Sequence, residues 1–102
     1  MIKVEESGIG FIDIVNLDRK EDLKKELKKQ LLDLIIDCTN TIPDNYLLSE
    51  IHSFQMNIKR CFVIILPLEQ KSNYPESWDL VPTKKEALDF ISFEQIQRKL
   101  GF

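Results

Sequence analysis

The 102-residue sequence is poor in the residues that most chemistry needs. It holds one histidine, His52, two cysteines, Cys38 and Cys61, and three glycines. A zinc site requires more ligands than these two thiols and one imidazole supply, and the wide spacing of the thiols is not that of a CxxC redox pair. No glycine-rich cradle accompanies Thr39, Asn40 and Thr41, so turn and cap chemistry is expected there rather than an anion site at the next helix. An uninterrupted apolar run of about 18 residues is missing too, so no membrane span is expected. The first residues lack the charged, apolar and small-residue order of a secretory signal. The expectation is a cytoplasmic protein with two buried free thiols. Basic excess is absent as well. Fourteen Lys and Arg face 17 Asp and Glu for a net charge of -3, which argues against a general affinity for nucleic acid. No cofactor is expected.

What is present fits one α/β domain over residues 1–102. A chain of this length buries roughly 60–70% of its unfolded surface, enough for one core. Apolar residues make up 43% and charged residues 30%, as in ordinary globular proteins. Ile2-Lys3-Val4-Glu5 alternates, Ser7-Gly8 signals a turn, and residues 9–16 form a β-rich run, together predicting an antiparallel hairpin. Residues 18–30 read as a helix with a narrow stripe of Leu23, Leu27 and Leu31 against a charged surface. The paired lysines Lys24-Lys25 and Lys28-Lys29 are interleaved with acids and read as a solvated face. Residues 34–38 and 61–66 are continuously apolar, the mark of adjacent central parallel strands covered on both sides. A helix over residues 45–58 joins them, with Thr41 or Asp44 as its cap and Pro43 in its first turn. A polar loop follows to residue 79, and Leu80-Val81 makes a short last strand.

The C-terminal stretch carries the sharpest local signals. Thr83 and Glu86 have capping-box spacing. Ala87, Leu88, Phe90, Ile91, Phe93, Ile96 and Leu100 follow at mostly helical steps, and Gly101 stands as the residue that ends the helix. Leu88, Ile91 and Leu100 are expected to be buried against the sheet. The predicted fold is a mixed β-sheet with an N-terminal hairpin, central parallel strands and about three helices packed mainly on one face.

In its order this chain resembles the STAS domain, the fold of bacterial anti-sigma-factor antagonists and of sulfate-transporter cytoplasmic domains. Three stretches carry the likeness: Leu34-Ile35-Ile36-Asp37, Cys61-Phe62-Val63-Ile64-Ile65 and Val81-Pro82-Thr83-Lys84-Lys85-Glu86-Ala87-Leu88-Asp89. The closing residues 93–102 are similar to small stand-alone bacterial members, some labelled ribonuclease Z, although the chain lacks that enzyme's histidine-rich metal motif. The resemblance implies a non-enzymatic protein-interaction module in bacterial cytoplasmic regulation. Its partner would be another protein, an anti-sigma factor or other regulator, met through Thr39, Asn40, Thr41, Asp44, Asn45, Tyr46 and Leu48. The family places a phosphorylatable Ser or Thr at the start of the helix after the Asp-ending strand. Here Asp44 matches, but Asn45 and Tyr46 replace the hydroxyl residues and Leu47 the glycine, so the switch is expected to be missing. The alternative is a phosphoregulated antagonist using Thr41 or Ser49.

A third reading makes Asp37 the centre of a small ligand-binding or enzymatic domain. A phospho-accepting aspartate needs an acidic pair from an earlier strand and a lysine from a later one, so a structural role for Asp37 is favoured. His52 is expected on a helix side, not as a general base. Buried apolar surroundings argue against nucleophilic cysteines. Trp78 is expected to fold back over the edge of the core, and Tyr46 is the better partner contact.

Overall fold

The computed structural model describes residues 2–13, 20–41 and 44–101. The expected strand continuation through residues 14–16, the expected helix start at residue 18 and Pro43 lie outside them. The strands are β1 (Lys3–Glu5), β2 (Ile9–Asp13), β3 (Asp33–Asp37), β4 (Phe62–Ile65) and β5 (Asp79–Val81); the helices are α1 (Lys20–Lys29), α2 (Asn45–Asn57) and α3 (Lys84–Leu100). The five strands form one sheet in chain order, with β1 antiparallel to β2 and every other neighbouring pair parallel. The two continuously apolar segments are thus adjacent, β3 at the centre of the sheet and β4 beside it.

The hairpin turn spans Glu6–Gly8, with Ser7 at φ 66° and Gly8 at φ 70°. The left-handed conformation costs glycine little but is uncommon for serine. Within β2, a Cβ on Gly10 would come within 2.9 Å of Ile2 and 3.0 Å of Leu32, so the missing side chain lets those two close over the strand.

Alternation along the strands sends side chains to two cores. Ile12, Leu34, Ile36, Phe62, Ile64 and Leu80 point to the face covered by α1 and α2, where they meet Leu23, Leu27, Leu48 and Ile51. Ile9, Ile35, Val63 and Ile65 point the other way, to Ala87 and Ile91 of α3. Successive crossovers of one hand, added in one direction along the sheet, return on the same side. Helices α1 and α2 therefore share a face, two of the about three helices expected to pack mainly on one face. Helix α3 packs on the opposite face, against Ile35, Val63 and Ile65. Between β4 and β5 the expected loop contains a 3-10 segment, Leu68–Asn73, and Tyr74 closes back onto the first core. Trp78 stacks on His52 at 5.4 Å and on Tyr74 at 5.9 Å, so it covers the core edge as expected.

The ends of α3 match the sequence signals. Thr83 Oγ1 accepts from the Glu86 N–H (3.2 Å) and donates to the Glu86 carboxylate (3.1 Å). Gly101 adopts φ 82° and its N–H donates to the Arg98 carbonyl. The second half of α3 departs from expectation. Ile91 is fully buried and Leu88 half-buried, but Leu100 is 65% exposed, together with Phe93 and Ile96. Leu100 stands nine residues after Ile91, about half a turn round the helix, so the two side chains cannot face the same sheet. Leu31 is a second correction: α1 ends at Lys29, and Leu31 lies beyond it with its side chain exposed.

The two apolar positions of α3 should therefore respond differently to truncation. Ile91→Ala is expected to cost about 2–5 kcal/mol, as for a large side chain removed from a packed core. Leu100→Ala should stay within about 0.5 kcal/mol, as for a surface position. Denaturant midpoints of the two variants distinguish this arrangement from one in which the whole helix seals the sheet.

Candidate functional site

Two ends of the parallel strands compete as sites. Ligands of α/β sheets bind at the carboxyl ends of the strands. Here that end presents Asp13 and Asp37, paired in register on adjacent strands. Nothing local in the sequence marks Asp13; only strand register brings it beside Asp37. One Asp37 oxygen accepts from both the backbone N–H (2.9 Å) and the hydroxyl of Thr39. This is a local turn in which the carboxylate stands in for a backbone acceptor. The next strand ends in Ile65-Leu66-Pro67 and brings no lysine. Cys38 follows Asp37 directly and is fully buried. Burial first, and then the charges of Asp37 and Asp13, push its thiol up to about 12.

Beyond this edge, the expected partner-binding residues separate into two sets. Thr39, Asn40, Thr41, Asp44, Asn45 and Tyr46 are exposed. Asp44, not Thr41, caps α2, accepting from the Tyr46 N–H at 2.7 Å. Leu48 does not belong with them: it is fully buried in the core under α2, one residue after the equally inward Leu47, and has no surface to offer. Of the two hydroxyls considered as phosphorylation sites, Thr41 is exposed before the cap and Ser49 is exposed on the helix.

Tyr46 is 64% exposed and stands at the rim of a groove of about 390 Å3 between α1 and α2. The floor is apolar, formed by Leu27, Ile51 and Phe54; Lys28 lies on the α1 side, and a Lys24–Glu50 ion pair of 2.8 Å spans the two helices. The lysines read as a solvated helix face thus also edge an apolar depression. Sequence periodicity gives each helix its stripe, but not the gap left where the two stripes diverge.

The opposite end of the sheet holds the most organised polar group, centred on Asp33. Its carboxylate is almost entirely buried. One oxygen accepts from the Cys61 N–H (2.8 Å); the other accepts from Gln95 Nε2 (2.8 Å) and Arg98 Nη2 (2.6 Å). Gln95 also donates to the Ser7 carbonyl (2.8 Å). Nearby, the buried Gln55 donates to the Leu32 and Cys61 carbonyls, and its own Oε1 has no hydrogen-bond partner among the described residues. Burial raises the Asp33 carboxyl, but the Cys61 N–H, Gln95 and Arg98 outweigh it and hold the group below its ordinary value. Cys61, expected to be buried, is half-buried beside this charge; burial first, then Asp33, lifts its thiol to about 12. Both Asp33 oxygens are engaged by donors of the chain itself, so the cluster acts as a clasp, set in the wall of a surface groove that Leu31 and Ile96 also line.

Among the described residues no group of three or more His, Cys, Asp or Glu side chains could hold a metal ion. No helix among them is long and apolar enough to cross a membrane. Compared with protein-family models, curated proteins and solved structures, the chain finds no match.

Two expectations follow. Replacing Asp33 by alanine leaves Arg98 and the Cys61 N–H without their acceptor and should cost about 2–4 kcal/mol. Because the folded carboxyl is held below its unfolded value, its contribution is complete above pH ~4 and is lost as pH falls through the folded value. The stability gap between wild type and Asp33→Asn, measured by denaturant titration at stepped pH, should therefore narrow only in acid. Second, both thiols should resist alkylation in the folded protein at pH 8 and react fully in denaturant, since a thiol raised to about 12 holds little thiolate there.

Proposed function

We propose that this chain is a non-enzymatic protein-interaction module of STAS-like kind that works in bacterial cytoplasmic regulation without a serine or threonine phospho-switch. The exposed residues Thr39, Asn40, Thr41, Asp44, Asn45 and Tyr46 and the adjoining α1–α2 groove form the recognition surface for another protein, an anti-sigma factor or comparable regulator. The observation that carries this reading is Tyr46. A large amphipathic ring on the first turn of a capped helix, 64% exposed beside an apolar groove, suits an interface better than a core. Asparagine and tyrosine occupy the helix start where the resembling family carries its hydroxyl. The non-enzymatic part of the reading is supported by the engaged Asp37 oxygen and by two thiols held far from their reactive form.

The test uses the intact chain as bait in native bacterial lysate, identifies the captured protein and measures its affinity directly. Tyr46→Ala should weaken binding by more than about 1 kcal/mol with an unchanged melting curve. Unchanged affinity would remove Tyr46 from the interface. Stoichiometric phosphorylation of Thr41 or Ser49 that abolishes binding would establish the phosphoregulated antagonist instead.

A further inference from the structure

The outward side of α3 carries an apolar seam that the fold does not use. Phe93, Ile96 and Leu100 are 60%, 55% and 65% exposed and follow one another at steps of three and four. The same spacing runs back through Asp89 to Glu86, both exposed. It is the a/d repeat of a helix that packs on another helix. The inner side of α3 already faces the sheet through Ala87 and Ile91, so this seam is a second, opposite face. Leu31, 58% exposed, lines the same surface groove as Ile96, beside Arg60 and Lys99. Four of the exposed large apolar side chains thus gather at one end of the molecule.

We infer that this seam is the contact surface for a second copy of the chain, with the two α3 helices antiparallel and crossing near Ile96. Register selects this occupant. About that centre, Ile96 meets Ile96 of the other copy and Phe93 meets Leu100, so each apolar group of the seam is covered by another and the contact closes with two-fold symmetry. A parallel pair would set Glu86 against Glu86 and Asp89 against Asp89, like charges at core positions. Antiparallel pairing instead carries the acidic half of each seam past the last turn of the other helix, towards the end bearing Arg60 and Lys99. Area agrees with a modest affinity. Four side chains at this exposure present roughly 400 Å2, within the size of patches that mark contact sites. Two copies with their flanking residues reach about 1,000 Å2, where specific but weaker interfaces begin. The inference is independent of the α1–α2 groove, which lies on the other side of the sheet.

Sedimentation equilibrium of the intact chain, from about 1 μM to 1 mM, tests it. A reversible monomer–dimer equilibrium is expected within that range, and a chain that stays monomeric throughout overturns the inference. Phe93→Glu and Ile96→Glu should each raise the dissociation constant roughly a hundredfold or more while the melting curve is retained. Met56→Glu, on α2, should leave the dimer intact as a control. Dimers that persist in both seam variants would place the contact elsewhere and overturn the inference. Orientation is read from Glu86→Cys under mild oxidation: no cross-link is expected, and an efficient one would show the helices parallel and overturn the proposed pairing.

Discussion

One buried carboxylate holds four parts of this molecule together. Asp33 opens the central strand, receives the first N–H before β4, and takes two side-chain donors from the last turns of α3. Through Gln95 it also reaches the hairpin turn at Ser7. The partners lie 28, 62 and 65 residues away in sequence, so each bond closes a long loop. A charge this buried is tolerable only when paired and hydrogen-bonded, and both oxygens are occupied. The cost of leaving it unpaired holds the last turns of α3 against the start of β3.

That requirement shapes both faces of the terminal helix. Its apolar packing on the sheet rests on Ala87 and Ile91, with Leu88 and Phe90 at the side. Beyond Ile91 the inward positions turn polar, and Gln95 and Arg98 reach Asp33 instead of a greasy strand surface. The helix is thus anchored by apolar contact in its first half and by charge in its second. With its inward side given to polar contacts, the second half keeps its apolar residues on the outer side. An amphipathic helix normally hides its apolar stripe; here the stripe divides between two faces, and only one is spent on the fold.

The framework was readable because its signals are local. Continuous apolar runs gave β3 and β4 as adjacent parallel strands, since neither face of such a strand can meet water. Thr83, Glu86 and Gly101 gave the limits of α3 because caps are written within a few residues of the ends they close. What was not readable depends on distance. Asp33 looks like an ordinary polar residue at the head of a strand, and nothing nearby announces Gln95 or Arg98. Asp13 becomes a neighbour of Asp37 only through strand register. Leu48 sits in the segment that the sequence marks for partner contact, but helix α2 turns it fully inward. Tyr46, two residues earlier, is turned outward by the same rotation. In α3, seven apolar residues at near-helical steps read as one stripe, although Ile91 and Leu100 project about half a turn apart.

The two surfaces left over by folding lie on opposite sides of the sheet, and this has a consequence for how they combine. The α1–α2 groove with Tyr46 lies above one core, and the α3 seam lies outside the other. Between them stand β3 and β4, whose side chains are packed on both faces. With a sheet packed on both faces between them and, among the described residues, no buried side chain shared by the two cores, the two contacts are expected to be energetically independent. Self-association through α3 would leave the groove of each copy open and facing away from the pair. Such a dimer would present two copies of the proposed recognition surface at a fixed separation. Against a partner that is itself dimeric, geometry alone would then raise the overall affinity above that of a single groove, with no new contact required. A weak seam would be enough for this, because the partner would hold the pair together as much as the pair holds the partner.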